Sequence, residues 1–270
     1  MNIVKIFAEN FFLQLLFTVG LVAGVGFLIW LLRRQFYRLV GARKAVYYVT
    51  GFVGTPVHEL GHAFFCIVFC HKIHKISLYR INPDDGVLGY VKHSYNRRNP
   101  YAQIGNFFIG VGPIIFGSAA LLLCMFILAP QLLRDIYAAM NFLHGTNITI
   151  GNVFRAFWRV IVAFFAGAQL GNPLWWLFIF IASSIALNMS LSLADIKGSL
   201  WGFIFVMALF AIVNLVLAIT GHITAFTGWC LSFGMFTFNF LIISVLLCLM
   251  LVIVAATMKG FFRLVLLKRV

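Results

Sequence analysis

The chain has 270 residues, of which 63% are hydrophobic and 10% charged, and its mean hydropathy is +1.03. Soluble domains are about half apolar and a quarter charged, so this composition excludes a water-soluble globular domain and indicates an integral membrane protein. The net charge of +14 would suit a nucleic-acid binder, but the basic residues collect at the ends of apolar runs, which is typical of anchoring at a lipid surface. We therefore expect the lipid bilayer, and no nucleic acid, as a partner.

Apolar runs of about 20 residues, the length that crosses a bilayer as a helix, recur along the whole chain. The predicted spanning helices lie near 11–32, 45–70, 104–129, 174–194, 200–220 and 230–258. A further apolar helix is expected near 153–170, ahead of the turn-forming Gly171, Asn172 and Pro173. The sequence predicts an all-α polytopic membrane protein with six transmembrane helices, or seven if 153–170 also crosses, forming a single embedded domain over residues 1–270.

One long polar insertion, at about 71–103, separates the second and third predicted spans. Within it, "KISLYRI" and "GVLGYVKHSY" flank the turn-forming "NPDDG", a pattern that predicts two short strands joined as a β-hairpin. An exposed edge of such a hairpin could pair with an extended substrate. A plain surface hairpin is the alternative.

The basic clusters at 33–44 and 71–103 fall on opposite sides of the membrane if the helix at 45–70 crosses once, so they cannot both obey the positive-inside rule. With six spans and a cytoplasmic N-terminus, the insertion and the C-terminal "KGFFRLVLLKRV" both face the cytoplasm. That side then carries the larger share of Lys and Arg. We expect this orientation, in a membrane of the bacterial inner or plasma membrane type; a seventh span would reverse the C-terminus.

All five cysteines lie within apolar segments and lack the loop spacing of disulfides. They are Cys66, Cys70, Cys124, Cys230 and Cys248. We expect them to be reduced residues that serve packing.

Only six acidic residues occur in the chain: Glu9, Glu59, Asp84, Asp85, Asp135 and Asp195. Four of these are predicted in loops or near the N-terminus. The other two, Glu59 and Asp195, fall within or at the edge of apolar spans, where an ionisable side chain costs a few kcal/mol or more and marks a functional site by default.

The segment "HELGH", His58 to His62, places two histidines four residues apart inside the second predicted span. On a helix such residues share one face, so both imidazoles can reach one metal ion while Glu59 faces the metal-bound water. Zinc lowers the pKa of its water, and the neighbouring carboxylate can take the proton and pass it to a leaving amine. The spacing therefore predicts a zinc hydrolase site; a buried polar network that only joins helices is the alternative.

A catalytic zinc site usually has three protein ligands, and Asp195 is the best candidate for the third. Asn188 precedes it by seven residues, nearly two helical turns, so we expect it to point to the same side and to suit an oxyanion or substrate contact. Asp195 could instead cap the following helix, and Asn188 could form an interhelical hydrogen bond. His93 and His222 are the alternative third ligands.

These motifs resemble the site-2 protease family of intramembrane zinc metalloproteases. The resemblance rests on His58 to His62, on "GVGPIIFGS" in the third span and on the segment from Asn188 to Asp195, and it covers much of residues 50–200. It implies that His58, His62 and Asp195 bind one zinc ion and that Glu59 is the catalytic base. The implied substrate is a peptide bond in or near a membrane segment of another protein, or a signal-peptide-like segment.

The chain departs from the family pattern in the aspartate block. That block usually carries prolines between the asparagine and an Asp-Gly pair, whereas "NMSLSLADIKG" has no proline, is one residue shorter and places Ile196 after the aspartate. The sequence thus resembles a divergent member.

Two other functions fit the composition. A non-catalytic membrane protein of the same fold could act as a scaffold, although a structural metal site would not require Glu59. A transporter could carry protons or metal ions on its buried His, Glu and Asp, but transporters usually show paired, repeated halves, and no such symmetry is visible.

Overall fold

The computed structural model describes residues 3–41, 43–81, 83–144, 150–166 and 169–267. The described helices and strands are, in chain order, α1 (Ile3–Leu15), α2 (Leu21–Leu39), α3 (Lys44–Val68), β1 (Lys72–Ser77), β2 (Tyr90–Ser94), α4 (Pro100–Leu128), α5 (Pro130–His144), α6 (Ile150–Ala166), α7 (Pro173–Asn188), α8 (Leu193–Ile219) and α9 (Ile223–Leu267). A π-helical turn at Leu16–Gly20 joins α1 to α2.

Within the described part of the chain, four helical stretches are long and apolar enough to cross a membrane: Ile3–Leu39, Pro100–Leu128, Leu193–Ile219 and Leu241–Phe261. The chain is therefore a mostly helical protein suited to a membrane-embedded location, as the composition predicted. The helices α7 and Ile223–Met235 are apolar but shorter. The estimate of six or seven spans stays a prediction.

Three helices that build the site begin at residues with clear capping roles. The side chain of Asn99 accepts a hydrogen bond from the amide of Tyr101, with Pro100 in the first turn of α4. Asn172 and Pro173 repeat this arrangement at the start of α7. Asparagine satisfies an otherwise unpaired amide at a helix start, and proline has none to satisfy there, so the Asn-Pro pairs determine where both helices begin.

One predicted helix is wrong in its extent. The segment predicted as a single span near 174–194 is divided, because α7 ends at Asn188 and α8 begins at Leu193. Ser192 caps α8: its hydroxyl accepts from the amide of Asp195, and the Asp195 carboxylate accepts from the amide of Ser192. This reciprocal pair starts a new helix, so Asn188 and Asp195 lie on different helices.

The predicted hairpin is confirmed. Strands β1 and β2 pair antiparallel, with Ser77 opposite Tyr90 and Ile73 opposite His93. In the connection, the carboxylate of Asp85 accepts hydrogen bonds from the Arg80 guanidinium at 2.9 Å and from the Val87 amide at 3.0 Å. These contacts hold the pKa of Asp85 below its ordinary value.

Asp135 was predicted in a loop, but it lies on the helix α5.

Helix α3 packs against α4 and α7, and glycines permit both contacts. A Cβ atom on Gly61 would lie 2.7 Å from the carbonyl oxygen of Gly112 on α4, and one on Gly54 would overlap the carbonyl oxygen of Ser184 on α7. Both helices therefore touch the backbone of α3. Gly112 therefore permits a close approach of α4 to α3 beside the site.

Candidate metal centre

The two histidines of "HELGH" present their Nε2 atoms to the same point. On α3, Nε2 of His58 lies 3.2 Å from Nε2 of His62. Each Nδ1 lies 2.7 Å from a backbone carbonyl oxygen, that of Asn188 for His58 and that of Ile109 for His62. A carbonyl can only accept, so each Nδ1 carries the hydrogen and each Nε2 is left with a free lone pair, the form in which histidine binds a metal.

Asp195 completes this group from the first turn of α8. One of its oxygens, Oδ1, lies 3.3 Å from Nε2 of His62, and the other, Oδ2, lies 3.7 Å from Nε2 of His58. Oδ2 also accepts the capping hydrogen bond from the Ser192 amide at 2.7 Å. Asp195 therefore both caps the helix and faces the two imidazoles. The capping bond orients the carboxylate.

The donor set fits a zinc ion. One ligand atom each from His58, His62 and Asp195 lies within 4.8 Å of the others. In a tetrahedral site with bonds of about 2.0–2.1 Å, neighbouring ligand atoms are about 3.3 Å apart. The observed separations are 3.2 Å between the two Nε2 atoms, 3.3 Å from His62 to Asp195 and 3.7 Å from His58 to Asp195. Two imidazoles and a carboxylate also leave the fourth position open, as a catalytic site requires.

Glu59 lies beside this group in a cavity of about 530 Å³. The cavity is lined by α3, by the start of α8, by α4 and by the hairpin. The hairpin passes close to Glu59, because a Cβ atom on Gly89 would lie 2.7 Å from the Glu59 Cγ. Glu59 is buried, so the cavity holds a carboxylate next to the three candidate metal ligands.

The amide of Asn188 bonds to the protein itself. Its Nδ2 donates to the carbonyl oxygen of Thr50 at 3.0 Å and to that of Ser184 at 2.9 Å. The hydroxyl of Ser184 donates to Thr50 as well and accepts from the amide of Gly54. These bonds tie α7 to α3 one turn before His58. The predicted oxyanion or substrate role of Asn188 stays a prediction; its side-chain amide bonds to Thr50 on α3 and to Ser184 within α7.

Asn106 on α4 was not singled out from the sequence. It lines the cavity, and within the described part of the chain its buried Nδ2 has no hydrogen-bond partner. A buried amide N–H without a hydrogen-bond acceptor is destabilising unless a water molecule or a ligand accepts its hydrogen bond. The available signal was the presence of an asparagine inside the predicted span at 104–129, where polar side chains are rare.

Neither of the two alternative ligands belongs to the group of His58, His62 and Asp195. Among the described residues, His93 belongs to a different group of potential ligands, and His222 belongs to neither group. Asp195 is therefore the third side chain that the fold brings to the two histidines of α3.

Comparisons with protein-family models, with curated proteins and with solved structures find no significant match.

Proposed function

We propose that the chain is a zinc-dependent membrane endopeptidase that hydrolyses a peptide bond in or near a membrane segment of another protein. One observation carries this proposal: the ligand atoms of His58, His62 and Asp195 converge beside Glu59 in a single cavity. The resemblance of these motifs to site-2 proteases points to the same chemistry. A zinc ion held by these three residues would polarise the scissile carbonyl and acidify a water molecule.

The side chains have distinct roles in this proposal. Glu59 accepts a proton from the attacking water as the water oxygen bonds to the carbonyl carbon. It returns that proton to the nitrogen as the carbon–nitrogen bond breaks. Asn106 donates its unpartnered amide hydrogen to the substrate carbonyl, where negative charge develops. The carbonyls of Asn188 and Ile109 keep the imidazoles in the ligating tautomer.

The hairpin supplies a means of holding the substrate. Peptide bonds in a membrane helix are hydrogen-bonded internally, so a substrate must be extended before it can be cut. The β2 residues Tyr90 and Val91 line the cavity wall. Because the described sheet has two strands, β2 has an outer edge, and an extended segment pairing with it would lie next to the three ligands.

The test compares native protein with Glu59→Gln in vesicles that contain a panel of single-span membrane proteins and signal peptides. We expect Glu59→Gln to retain zinc and lose cleavage, because the amide cannot accept the proton. The matched control is Glu9→Gln, which alters an exposed glutamate paired with Lys5 and should cleave normally. A Glu59→Gln protein that still cleaves would remove the assigned mechanism. Proton- or metal-coupled flux without cleavage would favour the transporter.

A further inference from the structure

A second group of metal-ligand side chains lies one helical turn beyond the first. Cys66 follows His62 by four residues on α3 and so shares its face. Its thiol, an imidazole nitrogen of His71 and one of His93 all lie within 4.8 Å of one another. Cys66 is fully buried, and His71 is 6% exposed.

The end of α3 positions His71 against Cys66. Cys70 adopts a left-handed backbone conformation with φ of 58°, and the amide of His71 donates to the carbonyl oxygen of Cys66 at 2.8 Å. This is the glycine-type helix ending, formed here by a residue for which left-handed φ costs about 1–2 kcal/mol. The chain therefore reverses abruptly and brings His71 back beside the thiol.

The hairpin supplies the third side chain. His93 lies on β2 opposite Ile73 of β1, so the strand pairing carries it to the end of α3. Its Nδ1 lies 3.0 Å from Nδ1 of His71. His93 also lines the cavity that contains Glu59, so this group joins α3 to the wall of the candidate active site.

The imidazole of His71 is held in a form that can bind a metal. Nε2 of His71 donates to the carbonyl oxygen of Ala102 at 2.8 Å, which leaves Nδ1 of His71 with a free lone pair. The ring stacks on Tyr95, with ring centres 4.8 Å apart.

We propose that Cys66, His71 and His93 form a second metal site, for a zinc ion bound by one thiolate and two imidazoles. A direct hydrogen bond between the imidazoles would account for their separation, but it gives no role to the buried thiol at the same point. Sulfur and imidazole ligands together suit zinc and disfavour Mg²⁺ and Ca²⁺, which prefer oxygen ligands. The ion would fasten β2, and with it the cavity wall, to the end of α3. This site does not depend on the proposed protease activity.

The test uses full-length protein, purified in detergent, stripped of metal and titrated with Co²⁺. A cobalt–thiolate bond gives a near-ultraviolet charge-transfer band, and the candidate active site contains no thiol to produce one. We expect two ions per native chain and one such band. Zinc analysis of the reloaded protein should also give two ions per chain.

Matched variants assign the band. Cys66→Ser should lose the charge-transfer band and bind one ion fewer per chain. His93→Gln keeps the thiol and should show a weaker band and weaker binding of the second ion. Cys124→Ser, which changes another buried cysteine, should keep the band and both ions. Asp195→Asn should lose the ion of the candidate active site and keep the band. A native protein without the band, or a band that persists in Cys66→Ser, would overturn the second site. Neither result would bear on the proposed protease activity.

Discussion

The carbonyl oxygen of Ile109 on α4 accepts a hydrogen bond from Nδ1 of His62 on α3 at 2.7 Å. This contact orients the imidazole so that Nε2 faces Asp195. Backbone groups cannot be removed by substitution, but their position can be shifted through the packing of α3 on α4. The geometry of the candidate metal centre therefore depends on how closely these helices approach.

Gly61→Ala should push α3 and α4 apart, because the added Cβ would lie 2.7 Å from the carbonyl oxygen of Gly112. We expect a loss of about 1–3 kcal/mol in stability, and a 10- to 100-fold loss of zinc affinity, roughly as for other losses of a ligand's supporting contacts. Thermal unfolding and zinc titration measure these effects. Gly24→Ala is the control, since its Cβ would meet no atom within 4 Å. Equal stability and zinc affinity in Gly61→Ala and native protein would contradict this role.

The two roles of Asp195 can be separated. Asp195→Asn keeps an oxygen that can accept from the Ser192 amide but removes the charge, so zinc binding should weaken strongly with little change in unfolding temperature. Ser192→Ala removes the other half of the capping pair and should cost about 1 kcal/mol of stability while zinc remains bound. Zinc analysis and thermal unfolding of both variants test this pair. Full zinc occupancy in Asp195→Asn would mean that Asp195 is only a cap.

Two adjacent serines on α7 should behave differently. Ser184→Ala removes the hydrogen bonds to Thr50 and Gly54 that join α7 to α3 and should cost about 1–3 kcal/mol. Within the described residues, the buried hydroxyl of Ser183 has no partner, so Ser183→Ala should be neutral or slightly stabilising. Thermal unfolding in detergent compares the two. Equal effects would show that the α3–α7 hydrogen bonds contribute nothing measurable.

Asn106→Ala should reduce cleavage without reducing stability. If the amide stabilises developing charge on the substrate, kcat should fall by about 10²–10³, with KM nearly unchanged. Because no bond within the described protein is lost, the unfolding temperature should hold or rise. A large fall in unfolding temperature with unchanged kcat would make Asn106 a structural residue.

His93 should make the metal-free protein less stable in acid. Burial lowers its pKa from 6.5 to about 4. Between pH 6.5 and about pH 4, His93 is therefore protonated in the unfolded chain and neutral in the folded chain. The contribution of neutral His93 to the free energy of unfolding should be fully present above pH 6.5 and decline as the pH falls towards 4. Unfolding temperatures across this range, measured with chelator, should show a shallower decline in His93→Gln. Identical slopes would exclude His93 as the cause.

Local patterns predicted much of this fold, and contacts between distant segments determine the rest. Helical spacing predicted that His58 and His62 share a face, and the turn-forming "NPDDG" predicted the hairpin. The division between α7 and α8 was predicted at 195–199 and lies earlier, between Asn188 and Leu193, although Ser192 and Asp195 have capping-box spacing. The group around Cys66 could not be predicted, since it requires a left-handed Cys70 and a particular strand pairing.

The most direct measurement is an anomalous difference map at the zinc absorption edge, from crystals of the Glu59→Gln protein. We expect a peak about 2.0–2.2 Å from Nε2 of His58, Nε2 of His62 and a carboxylate oxygen of Asp195. A map from zinc-loaded crystals without a peak between these three side chains would contradict the metal centre, and with it the proposed hydrolysis.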